Sequence, residues 1–555
     1  MEIIAAEDIN IGTDLFPPLS PLAFSLYESF LSSHCSSCFS LLPPSPPRPP
    51  QSPTSLYCSA ACSSSLTDSP IISPPDLSPI LSSDIRTALR LLNSTVVTSS
   101  LPHRLNGLLT NHHRLMTDTS FSVSIKNAAN FIAAVLKSNR ENTELEEAAI
   151  CSVLTNAVEV QDSNGRALGI ALYDSRFSWI NHSCSPNSCY RFSNTTSYQN
   201  DTTKTIPHIT NPETTSYNLE EFKTFCCFQG PKVIARSIKK IKKGEEITVS
   251  YIDLLQPTGL RQSDLWSKYR FMCSCRRCAA SPPAYVDSIL EGVLTSVGHY
   301  HGNINKDEAM GEMTDHIQEA IDNFLSDDIN PKSCCEKIEN VLYHGIQIKA
   351  DSQPNHHLWL HPIHHAALNG YITLATAYRI RSIDSETDMG KAFDMRRISA
   401  ACSFFLACAS HHLFSAEPSL AMSAAKFWTN AGESLLDFSR KFSSGRSDVK
   451  CNKCHMLETP NSLRGFNENS KKILSCVTDI SQVVWSFLTR GCPCLQKFMS
   501  PFDFSFTKAN GERDETSEDQ TLSVLLLSFH CLLYADLLTD LCYGQNSHLL
   551  SGLHV

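Results

Sequence analysis

The segment Trp179–Asn187, which reads W-I-N-H-S-C-S-P-N, constrains the fold strongly because few of its residues build ordinary hydrophobic core. Its proline disfavours helical geometry at the preceding residue, and its Asn and Ser side chains compete for backbone hydrogen bonds. We therefore expect a loop that carries polar groups. A capping turn is the ordinary interpretation of a single Asn-His pair, so the meaning of this loop depends on the rest of the chain.

Length and composition limit the class of protein. A chain of 555 residues exceeds one typical core, which predicts about two to four domains. The net charge of -10 argues against a general nucleic-acid-binding surface, because phosphate neutralisation needs clustered Lys and Arg. Acidic residues interrupt the first fifteen positions, and polar residues interrupt the apolar stretch Leu522–Leu541. We therefore expect a soluble intracellular protein without a signal peptide or membrane span.

Short cysteine spacings form a second pattern. In a reducing compartment, 23 cysteines favour metal ligands over a disulfide framework. The pairs Cys35-x2-Cys38 and Cys58-x3-Cys62 can surround one Zn²⁺ tetrahedrally, although buried free thiols remain the alternative. The proline-rich stretch 41–53 between them predicts polyproline II structure, either as a spacer or as a ligand for a partner's aromatic groove.

Strand and helix patterns alternate in the first half of the chain. Residues 1–16 and Val233–Ile247 each read as an apolar strand, a turn and a second strand, which predicts two similar hairpins. Apolar residues at helical spacing predict helices at Ser82–Leu92, Ser124–Leu136 and Glu144–Val158, inserted into a β-rich domain.

Two polar stretches complete this half. The Ser-, Thr- and Asn-rich residues 193–221 lack an apolar pattern and predict a flexible surface loop. The basic run Lys239–Lys243 is typical of a nuclear signal or of a solvated hairpin turn, and the flanking strands favour the turn.

A third cysteine group follows a short predicted helix that starts at Arg261. Cys273, Cys275 and Cys278 lie within six positions, so a fourth ligand must come from elsewhere. Cys184, in the polar loop, can provide it.

The composition changes after Pro283 to long helical patterns. The predicted helices are 315–324, 335–343, 364–380, 395–407 and 416–438. Paired helices with Ala and Gly at their contacts indicate an all-α domain of stacked helical hairpins. The C-x2-C-H segment at 451–455 and Cys492-x-Cys494 lack a zinc-finger pattern, so we expect no metal there.

Together, N-H-S-C-S-P-N, the later G-E-E-I-T-V-S-Y (Gly244–Tyr251) and C-S-C-R-R-C resemble the SET domain and post-SET segment of protein lysine methyltransferases. C-x2-C and Y-C-S-A-A-C are similar to the MYND zinc module of the SMYD class, and the whole is most similar to plant SET-domain-group proteins. The implied α+β fold is a β-rich SET domain, split by a reduced MYND-like insert and helices, followed by a TPR-like helical domain. The implied boundaries are 1–254 for the SET domain, 31–66 for the MYND-like insert, 82–158 for the helical insert, 193–221 for the loop, 255–280 for the post-SET segment and 283–555 for the helical domain.

The resemblance also implies roles for single residues. Tyr251 would stand at the methyl-transfer centre, with Tyr269 and Phe271 lining the cofactor pocket and lysine channel. The residues implied to contact S-adenosylmethionine are Asn156, Asn181, His182, Tyr251, Tyr269 and Phe271. The residues implied to hold about two zinc ions are Cys184, Cys273, Cys275 and Cys278 in one site and Cys35, Cys38, Cys58 and Cys62 in the other. The N-H-S-C segment and the segment ending at Tyr251 would pass close together in a knot-like arrangement.

The implied function is S-adenosylmethionine-dependent lysine N-methylation of histone tails or other proteins, in the nucleus and also the cytoplasm, as a chromatin regulator. Two departures from the family pattern keep an alternative open. The strand that begins at Met1 lacks the Gly-x-Gly turn of most members, and the insert lacks the second cysteine pair of the module. The alternative is a catalytically degenerate SET/MYND-like scaffold that binds protein partners.

Overall fold

The structure is a computed structural model. It describes residues 2–44, 56–65, 82–94, 103–137, 142–162, 165–193, 209–210, 230–295, 306–326, 328–348, 356–385, 388–442, 466–505 and 517–544. Most of the proline-rich stretch, most of the predicted loop at 193–221 and the C-x2-C-H segment at 451–455 lie outside these residues.

The chain divides into two compact units. The first comprises Met1–Ile252 and Gln262–Cys273, and the second comprises Asp253–Arg261 and Ser274–Gln545. Each unit is described separately below.

The first unit contains many short strands. They are β1 (Ile4–Ala5), β2 (Ala23–Leu26), β3 (Arg104–Leu105), β4 (Leu108–Leu109), β5 (Val158–Gln161), β6 (Ala167–Leu172), β7 (Asn181–His182), β8 (Ser188–Ser193), β9 (Ile209–Thr210), β10 (Lys232–Ser237) and β11 (Thr248–Val249). They form a three-stranded sheet in the order β2-β6-β5 and the pairs β1-β9, β10-β8, β11-β7 and β3-β4. The β11-β7 pair is parallel and the other pairs are antiparallel.

The two stretches predicted as separate hairpins instead pair with each other. Antiparallel bridges join Ile4 to Glu246, Ile9 to Ile241, Asp14 to Arg236 and Leu19 to Val233. Backbone hydrogen bonds from the Ile9 and Leu19 amides to Ile241 and Val233 follow the same register. The hydrophobic side chains of both stretches enter one buried cluster, which explains why their sequences look alike.

The helices of the first unit are α1 (Ala60–Ser65), α2 (Ser83–Ser94), α3 (His112–Met116), α4 (Thr119–Val135), α5 (Glu144–Asn156) and α6 (Ser175–Ser178), and α7 (Thr258–Tyr269) begins in the second unit and enters the first at Gln262. Helices α2, α4 and α5 agree with predicted helices apart from their ends, whereas the sequence patterns did not predict α1, α3 and α6. Helix α4 begins before the predicted Ser124 because Asp118 is its N-cap and accepts hydrogen bonds from the amides of Ser120 and Phe121. Helices α2, α4 and α5 bury a second hydrophobic cluster with β6.

The second unit is mainly helical. Its helices are α8 (Tyr285–Leu290), α9 (Lys306–Leu325), α10 (Pro331–His344), α11 (His365–Asp384), α12 (Met389–Ala416), α13 (Ala421–Phe442), α14 (Phe466–Thr489), α15 (Pro493–Gln496) and α16 (Ser517–Tyr543). Helices consecutive in the chain pack against each other from α9 to α13, and α16 packs against α13 and α14. Helix α13 starts later than predicted because Pro418 begins a separate 3-10 turn.

The second unit also departs from the all-α prediction. Strands β12 (Val293–Thr295), β13 (Ile346–Ile348) and β14 (His356–Leu360) form an antiparallel sheet in the order β12-β14-β13. Gly345 ends α10 at a φ of +62°, and a Cβ atom there would lie 2.1 Å from the Leu358 carbonyl oxygen. This close approach is open to glycine alone, so the helix ends and the strand begins at that residue.

Within the described part of this unit, two helices are long and apolar enough to cross a membrane by length and composition alone. They are Met389–Ala416 and Gln520–Tyr543, and 78% and 56% of their most apolar windows are buried within the fold. The second of these helices contains Leu522–Leu541, and its partial burial agrees with the interpretation of that stretch as a core helix.

Candidate cofactor site and metal centres

The polar loop lies beside the segment that ends at Tyr251. Asn181 and His182 form β7, which runs parallel to Thr248 and Val249 of β11. The amide of Ser183 continues the pairing by donating to the Val249 carbonyl at 3.0 Å. The resemblance implied that these two segments pass close together, and the structure places them side by side.

Asn187 fastens the loop to the downstream segment, a role that the sequence analysis missed. Its amide nitrogen donates to the Glu246 carbonyl at 2.8 Å, and its amide oxygen accepts from the Thr248 amide at 2.9 Å. One side chain therefore replaces two backbone hydrogen bonds between segments that are far apart in sequence. The last residue of S-P-N was the available signal, because Asn commonly makes such contacts in turns.

Both ring nitrogens of His182 have partners. Nδ1 accepts a hydrogen bond from the Tyr251 amide at 3.1 Å, so the proton of a neutral ring lies on Nε2. Nε2 faces the Cys184 sulfur at 3.2 Å, where it can donate to a thiolate. His182 thus connects the backbone at Tyr251 to a predicted metal ligand.

Asn181 contacts an acidic residue that the sequence analysis did not select. Its amide nitrogen donates to the Glu246 carboxylate at 2.7 Å. Glu246 belongs to the G-E-E-I motif, but nothing in the local sequence shows which of its two glutamates turns toward Asn181. The carboxylate fixes the orientation of the Asn181 amide.

Tyr251 is held as a neutral phenol. Its hydroxyl donates to the Ile180 carbonyl oxygen at 2.6 Å. Burial raises the pKa of Tyr251, and the neighbouring Tyr269 and Tyr190 raise it further by charge repulsion. The hydroxyl therefore keeps its proton at neutral pH and can act as a hydrogen-bond donor.

Aromatic rings surround Tyr251. The Tyr251 and Tyr269 ring centroids lie 4.9 Å apart, and His182 lies 5.4 Å from Tyr251 and 6.1 Å from Phe271. Burial raises the pKa of Tyr269 to about 12, with a further contribution from the Glu159 charge. Four of the predicted cofactor residues, His182, Tyr251, Tyr269 and Phe271, therefore form one aromatic cluster.

Asn156, also predicted to contact the cofactor, makes hydrogen bonds to the backbone. Its amide nitrogen donates to the carbonyl oxygens of Leu109 and Ser152, both at 2.7 Å. These bonds tie the end of α5 to β4. The structure gives Asn156 a part in helix termination, and its cofactor contact stays a prediction.

The four post-SET cysteines converge. The sulfur atoms of Cys184, Cys273, Cys275 and Cys278 all lie within 4.8 Å of one another. Gln262 fixes the backbone of Cys273 in both directions, donating to its carbonyl and accepting from its amide, each at 2.8 Å. Four thiols at this separation suit a tetrahedral zinc ion with no open coordination position.

A buried ion cluster supports the same segment from within the second unit. The Asp287 carboxylate forms ion pairs with the guanidinium groups of Arg261, at an N–O distance of 2.5 Å, and Arg277, at 2.7 Å. All three side chains are at most 2% exposed. Arg261 also donates to the Cys278 sulfur at 3.7 Å. Burial alone would raise the pKa of Asp287, but hydrogen bonds from the two arginines outweigh it and lower that pKa.

The cysteines of the MYND-like insert form a second cluster. The sulfurs of Cys35, Cys38, Cys58 and Cys62 lie within 4.8 Å, with Cys38 to Cys58 at 3.5 Å and Cys58 to Cys62 at 3.6 Å. Zinc–sulfur bonds of about 2.3 Å in a tetrahedron place neighbouring sulfurs about 3.8 Å apart. The donor set therefore fits one zinc ion, and Tyr57 packs against it as a buried neighbour.

The fold and the paired motifs define a SET-domain protein. The SET domain family matches residues 1–252, and the chain belongs to this family. It is 70% identical over 571 residues to Protein SET DOMAIN GROUP 41 of Arabidopsis thaliana, across 99% of each chain. The predicted resemblance to plant SET-domain-group proteins is confirmed.

More distant relatives match shorter parts of the chain. Identity to Histone-lysine N-methyltransferase SMYD3 of Homo sapiens is 26% over 130 residues, 23% of this chain and 22% of that protein. Identity to N-lysine methyltransferase SMYD2 of Homo sapiens is 41% over 59 residues, 10% of this chain and 14% of that protein. At the family level these matches support a SMYD-like protein lysine methyltransferase.

Proposed function

We propose that this chain is an active S-adenosylmethionine-dependent protein lysine N-methyltransferase. One observation carries the proposal. The parallel pairing of β7 with β11 brings His182 and Tyr251 together, and the rings of Tyr269 and Phe271 lie against them. Family membership supports the reaction class, and this geometry supports the cofactor and the active state.

When bound, S-adenosylmethionine would supply a methyl group from a positively charged sulfur. The lysine lone pair would form the nitrogen–carbon bond while the carbon–sulfur bond breaks and leaves its electron pair on sulfur. The lysine must arrive uncharged or lose a proton to water, because an ammonium has no lone pair to donate. Alignment of the two reacting atoms at about 3 Å is the main demand of such a displacement.

The residues of this chain meet these demands in different ways. Apolar ring faces of Tyr269 and Phe271 would exclude water from the substrate lysine, which lowers the pKa of its amine. Tyr251, which keeps its proton, would orient the reacting groups through its hydroxyl. The Ile180 carbonyl, beside that hydroxyl, can accept a weak hydrogen bond from a polarised methyl group.

Zinc would be held by the two cysteine clusters described above. The post-SET cluster would fix the segment that carries Tyr269 and Phe271, because Cys273 is two residues from Phe271. The insert cluster would form a reduced MYND-like module over 31–66. The proline-rich stretch within that module would bind a protein partner or act as a spacer.

The substrate would be a histone tail or another protein with an accessible lysine. The name of the SMYD3 relative describes a histone-lysine N-methyltransferase, which supports histones as the first substrates to test. Such a role would place the protein in the nucleus as a chromatin regulator, with the cytoplasm as a second location.

Transfer of a labelled methyl group to core histones tests the activity. We expect transfer by the wild-type protein and a loss of at least about 100-fold for Tyr251→Phe, since the hydroxyl would act on the reacting atoms. Tyr343→Phe is the matched control, because Tyr343 lies in the helical unit and should keep full activity. Absence of transfer to histones and to a peptide library would favour the alternative of a degenerate scaffold.

Isothermal calorimetry with S-adenosylmethionine tests the pocket separately from catalysis. We expect micromolar binding for the wild-type protein and a large loss of affinity for Asn181→Ala and His182→Ala. Binding that neither substitution weakens would contradict the assignment of the pocket. Binding without transfer would indicate the scaffold function with a retained cofactor site.

A further inference from the structure

A third group of side chains that could hold a metal ion lies in the helical unit. The carboxylate of Glu339 and the sulfurs of Cys492 and Cys494 lie within 4.8 Å of one another. Glu339 is on α10, whereas Cys492 and Cys494 flank Pro493 at the start of α15. Both cysteines are fully buried.

The separations match those of bound ligands. The Cys492 sulfur lies 3.4 Å from the Cys494 sulfur and 3.5 Å from the nearer Glu339 oxygen. Tetrahedral zinc, with bonds of about 2.3 Å to sulfur and 2.1 Å to oxygen, would place these pairs about 3.8 Å and 3.6 Å apart. The insert cluster shows similar sulfur separations of 3.5 Å and 3.6 Å.

A neighbouring helix holds the carboxylate in place. The Tyr378 hydroxyl, on α11, donates to the Glu339 carboxylate at 2.7 Å. Such a bond to a ligand oxygen is a common way for proteins to orient a metal-binding carboxylate.

Convergence distinguishes these cysteines from ordinary buried thiols. Cys408 and Cys531 are equally buried in the same unit, but neither belongs to a metal-capable group among the residues that the structure describes. The partly buried Glu339 carboxylate is near the positive charge of Arg381, but that single charge does not compensate a carboxylate together with two thiolates. A divalent cation would add the missing charge.

We propose that Glu339, Cys492 and Cys494 form a zinc site in the helical unit. Two thiolates and one carboxylate are donors that suit Zn²⁺. The site would tie α10 to the turn between α14 and α15. It goes beyond the proposed methyl transfer and does not depend on it.

The zinc content of the purified full-length protein tests the proposal. We expect three ions per chain for the wild-type protein, because the two other cysteine clusters would hold one each, and two for the double variant Cys492→Ser/Cys494→Ser. The double variant Cys408→Ser/Cys531→Ser is the matched control and should keep all three. Equal zinc content in the wild-type protein and the Cys492→Ser/Cys494→Ser variant would overturn the proposal.

A second measurement needs no variant and so does not depend on its folding. Thiol labelling of the native wild-type protein, read by mass spectrometry, should modify Cys492 and Cys494 at least 10-fold faster after a zinc chelator is added. Cys408 and Cys531 serve as internal references and should keep their slow rate. Labelling that the chelator does not change, or a disulfide between Cys492 and Cys494, would overturn the proposal.

Discussion

Asn187 shows how one residue can set the geometry of the candidate site. Its side chain bonds to Glu246 and Thr248, and its carbonyl accepts from the Ile238 amide. Asn187 is 59 residues from Glu246 and 61 residues from Thr248 in sequence, so local sequence cannot align them. The side chain performs that alignment directly.

Replacement of Asn187 by alanine should therefore destabilise the first unit. The substitution leaves a carbonyl and an amide without their partner, which costs about 1–3 kcal/mol. Urea unfolding of the full chain, followed by circular dichroism, measures the change. Asn369→Ala is the control, because Asn369 is exposed on a helix of the second unit and should change stability little. Equal effects of both substitutions would contradict the bridging role of Asn187.

His182 works at the same scale through its two ring nitrogens. The bond from the Tyr251 amide fixes the tautomer, and the fixed tautomer presents Nε2–H to Cys184. The ring thus has one orientation that satisfies both neighbours. An asparagine or glutamine can reproduce one of these bonds but lacks the ring that packs beside Tyr251 and Phe271.

At the level of elements, Asp287 joins α7, α8 and the post-SET segment. Its carboxylate accepts from Arg261 of α7 and from Arg277, which lies between two of the post-SET cysteines. Arg277 also donates to the Leu254 carbonyl at 3.0 Å. One buried carboxylate therefore compensates two buried guanidinium groups.

We expect Asp287→Asn to lower the free energy of unfolding by about 3–5 kcal/mol at pH 7, because two arginines lose the charge that compensates them. Asp315→Asn, at an exposed helix position, is the matched control and should be nearly neutral. Urea titrations of the three proteins provide the comparison.

The same residue predicts a pH dependence. The pKa of Asp287 is lowered in the folded state, so its stabilisation is present above the unfolded-state pKa of about 3.9 and is lost as the pH falls through the folded value. The difference between the wild-type protein and Asp287→Asn should therefore shrink below about pH 3.9. A difference that stays constant down to pH 3 would contradict this assignment.

Elements differ in how far the sequence alone predicts them. The spacing of their own apolar residues predicts helices α2, α4 and α5. The ends of such helices depend on local contacts, as the Asp118 cap of α4 shows. The strands of 2–19 and 233–246 have partners more than two hundred residues away, so a local pattern can suggest strands but not their pairing. The short strands β12, β13 and β14 have no clear local signal at all.

The candidate site shows the same division. Motif matching selected His182, Tyr251 and the eight cysteines, because each lies in a short recognisable pattern. Glu246 and Asn187 were missed, since their importance depends on which distant side chain they meet. Cys492 lies in no zinc-finger pattern, and its neighbour Glu339 is 153 residues away, so no spacing rule connects the two.

At the level of the whole molecule, loss of zinc from the post-SET cluster and loss of zinc from the insert cluster should have different effects on cofactor binding. Cys184 contacts His182 and clusters with Cys273, whereas the insert cluster packs with Tyr57 and Leu42. Loss of the post-SET ion should therefore release His182 and the neighbouring aromatic wall. Loss of the insert ion should leave them in place.

We expect Cys273→Ser to weaken S-adenosylmethionine binding by about 10-fold or more, as substitutions around metal ligands commonly do. Cys38→Ser is the matched control: it should also lose one zinc ion, but keep cofactor affinity within about twofold if the insert cluster is separate. Calorimetry, with zinc content measured on the same samples, distinguishes the two. Equal losses of affinity would contradict a specific coupling between the post-SET cluster and the pocket.

The pairing of residues 4–19 with 233–246 has a consequence for biosynthesis. At about 5–20 residues per second, a ribosome needs roughly 10–50 s to make the partner of the first strand. During that time the side chains of Ile3, Ile9 and Leu15, which are buried in the folded protein, lack the partner strand that covers them. Early translation of this protein should therefore require chaperone protection, whereas α2 and α5 can form as soon as they leave the ribosome.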